Sequence, residues 1–156
     1  MADQCDNRSV GMIVRNDKGE LLLIERKKEP YGFAPPAGHV DDHGSFEDAA
    51  RVELEEEVGL VAESLELVAE GRKDNTCRRE GGDHHKWKIY RVTATGEVKR
   101  SKEETKQAGW YTPLAIQKLA AKTEKYNRGE ISEKEWRRSP GIEPVWYGWF
   151  KELRIV

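Results

Sequence analysis

The chain has 156 residues, a length that suits one domain built on one hydrophobic core. It is 36% charged and 37% hydrophobic with a formal net charge of −2. No global positive field draws it to nucleic acid or an anionic membrane, and no apolar run approaches the roughly 20 residues of a bilayer span.

The opening stretch, MADQCDNRS, has no basic start followed by an apolar run, so no secretory signal is expected. Residues 9–15 and 20–26 are apolar runs flanking Asn16-Asp17-Lys18-Gly19, the pattern of a strand, a tight turn and a strand paired as a hairpin. In 32–40, Pro35 and Pro36 impose extended backbone, and Gly38 is free to take conformations closed to other residues. A helix follows over about 46–58. Ser45 is its N-cap, with Asp48 as the capping-box partner, and Gly59 suits the left-handed position past its end. Leu54 and Val58 should face the core.

A strand is predicted from Val61 to about residue 72 and another over 84–98, with an exposed polar loop between them. Ala108 to Tyr111 reads as a short strand. Thr112-Pro113 opens a helix to about Tyr126, Ser132 to Arg138 forms a short helix, and Pro144 opens a last one through Leu153. The mixture lacks a strict βαβ rhythm and favours an α/β fold with a mixed sheet covered by helices. Trp136, Trp146, Tyr147, Trp149 and Phe150 read as packing residues rather than a base-stacking surface.

Glu53, Glu56 and Glu57 occupy positions i, i+3 and i+4 of the first helix and so share one face. Like charges at that spacing repel. A hard divalent cation reverses the sign of that interaction, because Mg²⁺ and Mn²⁺ bind through oxygen ligands. The bland alternative is a solvated glutamate-rich face.

Gly38, Glu53, Leu54, Glu56, Glu57, Gly59 and Leu60 stand in the register of the Nudix box, and the segment resembles that of the Nudix hydrolase family. Two positions depart from the box: Gly44 replaces its first glutamate and Val52 its arginine. Arg51 is adjacent but rotated by about 100° on the helix. The resemblance implies an α/β/α sandwich with a mixed β-sheet and helices on both faces, spanning residues 1–156 as a single domain with the helical segment 113–156 packed on the sheet. It also implies Mg²⁺- or Mn²⁺-dependent hydrolysis of a diphosphate linkage in a nucleoside diphosphate derivative. Glu53, Glu56 and Glu57 would be metal ligands, with the Gly38 carbonyl as a fourth. One of them, or Glu103 or Glu104 from a later loop, would act as general base. We expect Gly44 and Val52 to have changed as a pair, leaving a metal site with looser positioning.

The basic segment 72–88 offers Arg78 and Arg79, among others, as a phosphate clamp; the alternative is an ordinary basic loop and strand face. Asp41 and Asp42 read as turn residues, and His43 as a solvated loop histidine. Cys5 and Cys77 lie 72 positions apart with no CxxC, which suggests reduced thiols in a cytoplasmic protein and gives no zinc-finger spacing. His84 and His85 are strand neighbours pointing to opposite faces, and so cannot share one metal. The function is therefore read as a Nudix-type pyrophosphohydrolase, with a nucleotide-binding sensor or regulator of weak hydrolysis as the alternative. The substrate identity is open, as is oligomeric state, a homodimer included.

Overall fold

The computed structural model describes residues 4–156; residues 1–3 of the N-terminal stretch discussed above lie outside the described residues. Strands β1 (Arg8–Val14) and β2 (Leu21–Arg26) form as the apolar runs require. The turn between them is set by Asn16, whose side-chain oxygen accepts from the backbone of Lys18 at 3.0 Å and Glu20 at 2.9 Å. The expected hairpin does not form. After a single bridge, Arg15 to Leu21, the strands part into different sheets. Each is almost wholly buried, and each takes two other partners, so the turn acts as a corner between two sheets.

The first sheet has the order β4-β1-β6-β5, with β4 at Ala37–His39, β5 at Val61–Lys73 and β6 at His85–Thr95. Strands β1 and β6 run parallel, and the other pairs are antiparallel. The second sheet is antiparallel, β3-β2-β7, with β3 at Phe33–Ala34 and β7 at Thr105–Tyr111. Pro35 and Pro36 separate β3 from β4, and the Pro36 carbonyl accepts from Met12 N at 2.9 Å.

Alternation along the strands sorts their side chains onto two faces. Val10, Met12, Val14, Leu22, Ile24, Tyr90 and Val92 pack with Ala49, Ala50, Leu54 and Val58 of helix α1 (Phe46–Val58). Ile13, Leu21, Leu23, Trp87 and Ile89 pack with Ile116 and Ala120 of α2 (Pro113–Asn127) and Trp146, Trp149 and Phe150 of α4 (Pro144–Glu152). The short helix α3 (Glu133–Arg138) buries Trp136. The result is an α/β/α sandwich around one mixed and one antiparallel sheet, and these four aromatics serve packing as expected. Trp87 and Tyr90 fall on opposite faces.

The segment after β5 is a largely exposed loop, as expected, but Asn75, Cys77 and Arg79 are half-buried. Asn75 Oδ1 accepts from Trp87 Nε1 at 3.1 Å, and the Asn75 carbonyl lies 3.0 Å from His85 Nδ1. These contacts fold residues 75–79 back toward the end of the first sheet.

Candidate active site

Helix α1 presents its glutamates because its ends and its buried face are fixed. Ser45 caps the N-terminus by accepting from Asp48 N at 3.0 Å. Gly59, at φ 73°, closes the C-terminus by donating to the Glu55 carbonyl at 2.9 Å. Leu54 and Val58 are fully buried, which sets the rotation of the helix. Glu53 then stands against Gly38 of β4, and Glu57, 5% exposed, lies near enough to the Ala37 backbone for it to favour the ionised carboxyl. Glu56 is exposed but close enough to Glu53 to repel its charge.

Glu53, Glu57 and Gly38 line a cavity of about 270 Å³. Glu104 reaches the same space from the segment before β7, whereas Glu103 does not. That segment is tied at both ends: Ser101 N donates to the Glu57 carbonyl at 2.8 Å, and Lys27 N to the Glu104 carbonyl at 3.0 Å. Arg26, Lys28, Arg78 and Arg79 supply positive charge around the opening. Among the arginines and lysines of 72–88, only Arg78 and Arg79 line the cavity. Arg79 is engaged with Asp41 at 2.6 Å, whereas Arg78 is exposed and makes no side-chain hydrogen bond or ion pair among the described residues.

Charge is confined here against its own repulsion. Burial, reinforced by Glu56 and Glu104, pushes the Glu53 carboxyl up to about 8. Burial also raises Glu57 well above the ordinary carboxylate range, with Arg26 opposing and Glu104 and Glu53 adding to the rise. Asp41 goes the other way: burial works against its ionisation, but the Arg79 hydrogen bond and charge prevail and lower it.

Sequence reasoning did not find Arg26 or Glu143. Glu143 is the N-cap position just before α4, is 5% exposed, lines the cavity, and pairs with Arg26 at 3.9 Å. Burial raises its carboxyl to about 7 against the pull of Arg26. The two positions are far apart in the chain, and no local pattern joins them. Trp146, 1% exposed, forms part of the cavity lining. His39, Cys77 and His85 also line it. Burial lowers both imidazoles, His39 to about 4.

A family model described as the NUDIX domain matches residues 6–133. The chain belongs to the NUDIX family. It is similar to the RNA pyrophosphohydrolase of Cellvibrio japonicus (strain Ueda107), at 38% identity over 61 residues, covering 39% of this chain and 36% of that one. The RNA pyrophosphohydrolase of Ruthia magnifica subsp. Calyptogena magnifica is 35% identical over 77 residues, covering 49% and 41%. The matches thus span about two-fifths of the length of these curated relatives. Among solved structures, a MutT NUDIX hydrolase from Burkholderia pseudomallei superposes with a TM-score of 0.60 at 26% identity, covering 71% of this chain and 84% of that chain. An Ap4A hydrolase from C. elegans, at 20% identity, shares the fold with a TM-score of 0.55 over 94% and 98%.

Within this NUDIX chain, the two departures from the box have structural counterparts. Gly44 adopts φ 99° in the loop before Ser45. Arg51 does not turn toward Glu53; its Nη1 donates to the Ala62 carbonyl at 2.8 Å. His43 stands there instead, with Nε2 3.5 Å from Glu53 Oε1.

The NUDIX carboxylates fit a hard divalent cation. Glu53, Glu57 and Glu104 are oxygen donors on one cavity wall, and their like charges repel one another where a cation would offset them. No Cβ fits between Gly38 and the Glu53 carboxyl, so the strand backbone and that carboxyl are in direct contact.

Proposed function

We propose that the cavity hydrolyses a diphosphate linkage in a nucleoside diphosphate derivative, with Mg²⁺ or Mn²⁺ as cofactor. The observation that carries this reading is the convergence of Glu53, Glu57 and Glu104 on one cavity whose opening is lined by Arg26, Arg78 and Arg79. Glu53, Glu56, Glu57 and the Gly38 carbonyl would hold the cation. When bound, it would neutralise charge on the diphosphate oxygens.

The protein's own groups supply the remainder. Arg78, without a side-chain partner among the described residues, can make a charge-assisted contact to phosphate. Arg79, fixed by Asp41, holds a second positive charge at the opening. Glu104 is exposed to water yet close enough to Glu53 and Glu57 to affect both. It can therefore accept a proton from an attacking water, and we assign it as general base. The relatives named RNA pyrophosphohydrolase and the Ap4A hydrolase neighbour support a nucleotide-derived substrate.

A second reading, a nucleotide-binding regulator with little turnover, is favoured by Val52, which cannot orient Glu53 as an arginine would. A panel of nucleoside diphosphate derivatives and 5′-triphosphorylated RNA, assayed with Mg²⁺ and Mn²⁺, separates the two. The expected result is metal-dependent product release that Glu57→Gln abolishes and Glu104→Gln reduces at the level of kcat. Tight binding without release would favour the regulator.

A further inference from the structure

Beside the carboxylate site lies a second group of donors that the hydrolytic reading does not use. Cys5, His39, Cys77 and His85 each direct one ligand atom into a common space, and these atoms lie within 4.8 Å of one another. The residues come from four separate places: the N-terminal segment, β4, the segment after β5, and the start of β6. We propose that these four side chains form a Cys₂His₂ site for a zinc ion that clamps the wall of the catalytic cavity.

The detail of each ligand agrees with this. His85 is 1% exposed, and its Nδ1 lies 3.0 Å from the Asn75 carbonyl. That contact requires the proton on Nδ1, so Nε2 presents a lone pair, and Nε2 lies 3.3 Å from Cys5 Sγ. A ring whose far nitrogen donates to a backbone carbonyl is the usual supporting arrangement of a metal-binding histidine. His39 Nε2 is buried with no hydrogen-bond partner among the described residues. A buried polar atom left unpaired is costly, and a metal bond satisfies it. Cys5 is 6% exposed, and both cysteines are free thiols.

Donor type and charge select the metal. Two sulfurs and two imidazole nitrogens suit Zn²⁺ and not Mg²⁺ or Mn²⁺. On binding, each thiol loses its proton to solvent, and two thiolates with two neutral imidazoles make the Zn²⁺ centre neutral overall. A neutral centre is the form that a mostly buried position tolerates. With zinc–sulfur bonds of about 2.3 Å and zinc–nitrogen bonds of about 2.0 Å, tetrahedral ligand atoms stand roughly 3.3–3.8 Å apart, so small side-chain movements complete the site. A disulfide between the two sulfurs would still leave the buried His39 Nε2 without a partner among the described residues. Four protein ligands close the coordination sphere, so the ion is structural. It would join the peptide next to Gly38 to the segment carrying Arg78 and Arg79, and both to the N-terminal segment. The Cys5 backbone already donates to the Glu80 carbonyl at 2.8 Å.

The test uses the full chain, with any tag removed, produced in zinc-supplemented medium under reducing conditions. The expected result is about one zinc per chain by elemental analysis, falling to near zero in Cys5→Ser/Cys77→Ser and unchanged in Glu53→Gln. Substitution with Co²⁺ should give thiolate charge-transfer absorption and the intense visible bands of tetrahedral coordination. Should the double variant fail to fold, alkylation of the unaltered chain decides: both thiols should resist iodoacetamide until a chelator is added. Zinc well below one per chain, zinc retained without the cysteines, thiols equally reactive with and without chelator, or a Cys5–Cys77 disulfide in the freshly isolated protein would each overturn the proposal. None of these readouts depends on hydrolysis, so they stand or fall separately from the catalytic assignment.

Discussion

Gly38 and Glu53 are in direct contact: a methyl group on the Gly38 α-carbon would occupy the space of the Glu53 carboxyl. The glycine thus lets a strand backbone and a helix carboxylate face the same point. Replacing it with alanine must move Glu53 away. We expect Gly38→Ala to lower kcat/KM by about a hundredfold, corresponding to about 2.7 kcal/mol of transition-state stabilisation. The side chain has room to swing out, so secondary structure by circular dichroism should remain. Loss of activity without loss of fold checks the assignment.

Arg78 and Arg79 are neighbours in the chain but should behave differently. Arg78→Ala removes an exposed cation at the cavity, and we expect KM to rise about tenfold with little change in melting temperature. Arg79→Ala also leaves Asp41 without its 2.6 Å partner. Its effect should appear in stability as well as in KM, and steady-state kinetics with thermal melts distinguishes the pair.

His43 stands 3.5 Å from Glu53, and Val52 offers it no polar partner. Introducing arginine by Val52→Arg should raise kcat by about fivefold, or about 1 kcal/mol, if positioning of Glu53 is what the chain lacks. His43→Gln should then cost less in that background than in the natural one. A double-mutant cycle on kcat measures this coupling. An unaltered rate in Val52→Arg would show that the box is adequately positioned as it stands.

The raised carboxyl groups give a stability profile with a definite sign. Glu53 titrates near 8 when folded against 4.5 for an ordinary glutamate, and Glu143 near 7. Between those values the folded chain holds protons that the unfolded chain has released, so stability falls as pH rises. His39, lowered from 6.5 to about 4, acts in the opposite direction, but only below about 6.5. From pH 6.5 to 8 the carboxyls prevail, and the melting temperature in chelator should decline. Mg²⁺ should flatten that decline by replacing the protons with a cation, as should Glu53→Gln.

The parts of this architecture that follow from short-range chemistry could be read from the chain. The ends of α1 are written in Ser45 and Gly59, and the rotation of its glutamates in Leu54 and Val58. What escaped were choices between distant partners. The runs on either side of Asn16–Gly19 look like a hairpin because nothing local tells β1 to pair with β4 and β6 instead. Arg26 and Glu143 meet only once α4 is docked. Cys5, His39, Cys77 and His85 carry no recognisable spacing, because their meeting point is created by the sheet and by the return of residues 75–79.

Trp146 belongs both to the packed aromatic layer of α4 and to the cavity lining, with Trp87 5.2 Å away in an edge-on arrangement. This indole is therefore an intrinsic optical reporter. Ligand entry changes the polarity at one edge while the rest of the ring stays locked, so binding can be followed through native emission without a label. Comparison with Trp146→Phe isolates the signal from the other four tryptophans.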